Sequence, residues 1–98
     1  MGLSVDVVIS PPPAWAAVLG ELRAAGFTPV VKMVDGLPAF PDELPADDCS
    51  EVRLGFPAGM VTLARTAGGV RCVVWGTADA GLLAARDACA DAVRRAAG

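Results

Sequence analysis

Leu3, Val5, Val7 and Ile9 alternate with Ser4, Asp6 and Ser10, and the run is then cut by three consecutive prolines, Pro11, Pro12 and Pro13. Alternation of period two demands a half-buried strand, with Val8 the one apolar residue on the outer side. The prolines cannot continue a ladder. Because a residue that precedes proline avoids helical backbone, a helix is expected only from about Pro12 or Pro13. Within it Trp15, Val18, Leu19 and Leu22 fall at i, i+3, i+4 and i+7 on one stripe, Glu21 and Arg23 face away, and Gly26 is a natural C-cap.

Phe27 to Val34 is rich in β-branched residues and ends on the turn pair Asp35-Gly36, so it reads as a second strand. A right-handed crossover would make the first two strands parallel. Asp35 to Ser50 carries three prolines, no basic residue and no period, and is expected to be a long surface loop. Glu51 to Phe56, Met60 to Thr66 and Val70 to Gly76 follow as an antiparallel meander, joined at Pro57-Ala58-Gly59 and Ala67-Gly68-Gly69. Thr77 caps a final helix with Asp79 in its first turn, a stripe of Leu82, Ala85, Cys89, Val93 and Ala96, and an i,i+4 pair between Asp91 and Arg95.

The expected class is α+β: one domain over residues 1–98, a two-layer α/β sandwich of order β-α-β-β-β-β-α, with one mixed sheet of about five strands and both helices on one face. The other face is then bare. Parity assigns to it Asp6 and Val8 from the first strand, Arg53 from the third, and Arg71, Val73 and Trp75 from the fifth, although Val70, Cys72 and Val74 are an equally apolar alternative set. Either choice leaves valines exposed, which points to a homodimer or another protein partner meeting Val8, Arg53, Arg71, Val73 and Trp75.

The sequence holds no histidine and no tyrosine, which removes Ser-His-Asp and Cys-His chemistry, histidine-ligated metals and tyrosine acids. A non-enzyme is therefore the favoured reading over an enzyme, and no cofactor is expected. Eleven acidic residues against eight basic ones give a net charge of −3, so nothing draws the chain to nucleic acid or to an anionic membrane. Cys49, Cys72 and Cys89 are odd in number and match no disulfide or CxxC spacing, as expected of reduced thiols. The first residues lack the basic region of a signal peptide and no stretch reaches 18 apolar residues, so a soluble cytoplasmic protein is expected.

Six of the eleven acids, Asp35, Asp42, Glu43, Asp47, Asp48 and Glu51, crowd into seventeen residues. Such a loop keeps a surface solvated; Asp42, Glu43, Asp47, Asp48 and Glu51 could also meet a basic partner or a hard cation, although no EF-hand ladder is present. The strand-to-helix turn Gly76-Thr77 could offer backbone amides to an anion, but Asp79 opposes one, and simple capping explains the residues equally. A second functional reading joins this turn, residues 76–81, with residues 10–13 in one cleft for a small ligand or anion, as a binding or an enzymatic domain. Cys72 and Cys89 read as core, Cys49 as exposed, Lys32 as a snorkelling strand lysine, and Trp15 as core. Arg53, Arg65 and Arg71 form either a cationic strip or cross-strand pairs with Asp6 or Glu51.

Overall fold

The computed structural model describes residues 3–40, 43–75 and 79–97. Its elements are β1 (Leu3–Val8), α1 (Trp15–Ala24), β2 (Val30–Val34), β3 (Leu37–Pro38), β4 (Glu51–Phe56), β5 (Gly59–Thr66), β6 (Gly69–Val74) and α2 (Ala80–Ala97). The strands form a single sheet of order β1-β6-β5-β4-β2-β3. Every neighbouring pair is antiparallel, so the expected mixed sheet of about five strands is corrected to six antiparallel strands.

β1 and β2 point the same way, as expected of the crossover, yet they do not pair. The meander β4-β5-β6 lies between them, because tight turns favour antiparallel neighbours and the three strands zip together as a unit. β1 closes against β6 in the register Val5↔Cys72 and Val8↔Gly69. A Cβ at Gly69 would overlap the carbonyl oxygen of Val7, so glycine is required there for the two backbones to meet.

The sixth strand comes from the segment expected to be a loop. Asp35 and Gly36 both have positive φ, 50° and 80°, the requirement of a type I′ turn, and they fold β3 back on β2 with Val34 opposite Leu37. β2 itself starts at Val30, later than Phe27, and carries a bulge between Val31 and Met33.

Both helices cover one side of the sheet. Trp15, Val18, Leu19 and Leu22 of α1 and Leu82, Ala85, Cys89 and Val93 of α2 join Val7, Val31, Val52, Leu54, Val61, Leu63, Val70, Cys72 and Val74 in one buried cluster. At roughly 1.5–3 kcal/mol per buried aliphatic or aromatic side chain, this cluster is the main favourable term of the fold. α1 begins at Trp15, two residues beyond the expected start, because Ala14 stays extended with ψ 144° and the Pro13 carbonyl is engaged by Arg65 Nη2 at 3.2 Å. Asp79 is itself the N-cap of α2, its Oδ1 accepting from the Leu82 amide at 2.9 Å; Thr77 lies outside the described residues. Arg95 does not pair with Asp91: it reaches Glu21 of α1 at 3.2 Å, and Asp91 takes Arg94 instead at 3.0 Å. No helix among the described residues is long and apolar enough to cross a membrane.

Candidate interaction surface

Strand alternation divides the sheet into two unlike sides. Val70, Cys72 and Val74 belong to the buried cluster, which resolves the ambiguity of β6 in favour of Arg71 and Val73 on the helix-free face. Registers carry that face across the sheet in rows. One row reads Asp6, Arg71, Ala64 and Glu51, and the next reads Ser4, Val73, Thr62, Arg53 and Met33. A third row pairs Met60 with Gly55 and Gly55 with Val30; Trp75 follows the end of β6 with the parity of Arg71 and Val73.

The first row is charged, and each of its acids is paired with an arginine, Asp6 within the row and Glu51 with Arg53 of the next. Arg71 Nε lies 2.7 Å from Asp6 Oδ1, a cross-strand pair whose hydrogen bond holds the Asp6 carboxyl below its ordinary value. Arg53 Nε lies 3.3 Å from Glu51 Oε1 along the same strand. Exposed pairs of this kind contribute little stability, about 0–1 kcal/mol, but they fix where each charge sits.

Two apolar side chains are exposed near the Met60 end of the face. Trp75 is 65% exposed and Met60 45% exposed. Gly55, between Met60 and Val30, is buried because the aliphatic stem of Lys32 fills the space above it: a Cβ at Gly55 would come within 2.7 Å of Lys32 Cε. Lys32 is thus exposed on a strand, with its stem laid over the sheet as snorkelling requires. Neither Met60 nor the Gly55–Lys32 pair stood out in sequence; a glycine inside an alternating strand was the available signal.

The expected row of exposed valines is only half present. Val8, at the end of β1, is 89% exposed, whereas Val73 is 8% exposed without belonging to the core cluster. Val73 sits mid-sheet, where flanking side chains on the same face shield a short residue even with no helix above it. Arg53 and Arg71 are on this face but Arg65 is not, so the three arginines form no continuous strip. Arg65 stacks over the Trp15 ring on the helix side, 4.8 Å from its centroid, donates to the carbonyls of Asp47 and Pro13, and leaves its Nε buried without a partner among the described residues.

Those contacts hold down the acidic loop. Asp35 Oδ1 accepts from the amides of Ser50 and Glu51 at 2.8 and 3.0 Å, and Trp15 Nε1 donates to the Cys49 carbonyl at 2.9 Å. Cys49, expected to be exposed, is buried at 7% exposure because this closure turns it inward; burial first, and the Asp35 carboxylate second, push its thiol up. Burial raises the Cys72 thiol to about 12 and pushes Cys89 up as well, which removes both as nucleophiles near neutral pH. Asp47 and Asp48 are exposed, Glu43 and Glu51 half-buried, and Asp42 lies outside the described residues. Among the described residues no group of three or more acids or cysteines is disposed to hold a metal.

The described residues that flank the two turns proposed to share a cleft lie at opposite ends of the sheet. β1 ends at Val8 beside Gly69, the start of β6, and β6 ends at Val74 beside Leu3, the start of β1. Residues 10–13 therefore leave one end of the sheet and Trp75 leaves the other, about 20 Å away for strands of this length. Gly76 and Thr77 themselves lie outside the described residues. A cleft of about 240 Å³ does open at Gly26, Phe27, Phe56, Pro57 and Ala85, but its lining contains no titratable side chain. No protein-family model matches this chain, and no match was found among curated proteins or solved structures.

Proposed function

We propose that this protein is a non-catalytic interaction module that associates with a second copy of itself through the helix-free face of its sheet. The observation that carries the reading is the exposure of Trp75 and Met60 at one end of a face whose other end carries the ion pairs Asp6–Arg71 and Glu51–Arg53. A tryptophan and a methionine left in water on one face, with ion pairs at its other end, are the kind of apolar surface that protein interfaces use.

Electrostatics favours a copy of the same chain on this face. The whole molecule carries −3, so two copies repel at long range. On the helix-free face Asp6 and Glu51 are each paired with an arginine and Lys32 adds one further cation, so this face does not carry the excess negative charge of the whole molecule. Three free, buried thiols suit a reducing, cytoplasmic setting. Sedimentation from low to high micromolar concentration tests the reading: a reversible shift to twice the monomer mass is expected, and a monomer throughout overturns it.

A further inference from the structure

We infer that the chain between β2 and β4 is a docking surface for a basic, amphipathic segment of another protein, with Leu37, Phe40 and Leu44 as its apolar seat and Glu43, Asp47 and Asp48 as the charges that select it. The seat is set by exposure. Seven large apolar side chains are exposed among the described residues, and three of them, Leu37 at 69%, Phe40 at 74% and Leu44 at 64%, fall within eight consecutive positions. The Glu43 amide donates to the Phe40 carbonyl at 2.9 Å, which keeps Leu44 close to Phe40. Leu37 stands opposite Val34, which packs against the core under the helices, so the seat lies on the helix side of the sheet, apart from Met60 and Trp75.

Charge decides what can occupy it. Residues 35–51 hold six of the eleven acids and none of the eight bases, so the remainder of the chain, with five acids, is net positive. The negative charge of the molecule is thus gathered where the three apolar side chains stand, and a cationic partner is drawn there while an anionic one is repelled. Closure of the loop does not consume these charges. Arg65 donates to the main-chain carbonyl of Asp47 and Trp15 to that of Cys49, while Asp35 spends its Oδ1 on the amides of Ser50 and Glu51. Among the described residues Glu51 pairs with Arg53, but no ion pair engages Glu43, Asp47 or Asp48.

The same three anchors hold the loop in place before a partner arrives, so docking need not order it. A segment with lysines or arginines on one side and aliphatic or aromatic residues on the other answers both features: its apolar side covers Leu37, Phe40 and Leu44, and its cations reach the three carboxylates.

Synthetic peptides test the pairing on the full chain. A lysine–leucine peptide of about 18 residues, five turns of an amphipathic helix, is expected to bind in calorimetry. Its glutamate-for-lysine and serine-for-leucine counterparts are expected to bind at least tenfold more weakly. Phe40→Ser combined with Leu44→Ser, both exposed positions, is expected to weaken the lysine–leucine peptide at least tenfold with an unchanged thermal midpoint. Glu43→Gln, Asp47→Asn and Asp48→Asn together are expected to weaken it as far and to flatten its salt dependence, with Asp35 left in place because it holds the loop. Parental binding by the Phe40→Ser/Leu44→Ser variant, equal binding of the serine-for-leucine or the glutamate-for-lysine peptide, or loss of binding through Trp75→Ala instead overturns the inference. Self-association through the helix-free face is read separately by sedimentation and stands or falls by itself.

Discussion

The indole Nε1 of Trp15 donates to the carbonyl of Cys49, 34 residues further along the chain, at 2.9 Å. This one bond ties the first turn of α1 to the far end of the acidic loop, and Arg65 stacked on the same indole bonds the loop again at Asp47. The loop between β3 and β4 is therefore held on the helix side of the sheet, which leaves the opposite side open.

Trp15→Phe keeps most of the apolar volume but leaves the Cys49 carbonyl without its donor. A loss of about 1–3 kcal/mol is expected, the cost of a buried polar group left unsatisfied. Denaturant titration measures it. A thiol reagent should also label Cys49 faster in the native variant, while Cys72 and Cys89 stay protected; unchanged stability and labelling would show that the bond contributes nothing to closing the loop.

Trp75→Ala separates association from folding. Trp75 is largely exposed and outside the core cluster, so its removal is expected to leave the monomer's thermal midpoint within the small range of surface substitutions, about ±0.5 kcal/mol. Sedimentation should show at least tenfold weaker self-association. A collapsed midpoint with association intact would move Trp75 from the interface to the core.

Gly69→Ala tests how β1 is held. The new methyl group would collide with the Val7 carbonyl, which is backbone and cannot rotate away. A destabilisation of about 1–3 kcal/mol or more is expected, as for overpacking elsewhere. Amide exchange should show the β1–β6 pairing opening before the β4–β5 pairing; equal protection of the two ladders would contradict this.

Stability should fall on the alkaline side. The folded-state thiol of Cys72 is raised to about 12 by burial, from an ordinary value of 9.0, so the unfolded chain releases its proton first. The stabilisation is whole below pH 9 and is lost as pH rises towards 12, by about 1.4 kcal/mol at pH 10 for one such thiol. Cys72→Val should flatten the decline of thermal midpoint between pH 8 and pH 10.5. A variant with the same slope as the parent would show that other groups govern the alkaline limb.

Local periodicity carried most of the elements. The stripes of Trp15, Val18, Leu19 and Leu22 and of Leu82, Ala85, Cys89 and Val93 became buried helix faces, because a helix repeats every 3.6 residues wherever it lies. The Asp35-Gly36 pair also carried a hairpin signal in two letters, but the strand that follows is only two residues long and has no period of its own to announce it. For the candidate surface, parity placed Arg53 and Val8 correctly from sequence and narrowed β6 to two alternatives, since alternation says which residues share a face but not which face is covered.

What the chain determined alone was therefore the helices and every strand but the two-residue β3, their buried stripes, and the poverty of groups able to do acid–base chemistry. Tertiary structure decided the rest: that β1 lies beside β6 and not β2, that Cys49 turns inward, that Arg65 leaves the other arginines, and that Lys32 lies over Gly55. The reason is range. Propensity and periodicity act over a few residues, whereas each of these outcomes depends on strand pairing or loop closure between segments far apart in sequence, where backbone ladders and burial of distant partners choose among arrangements that local patterns leave equivalent.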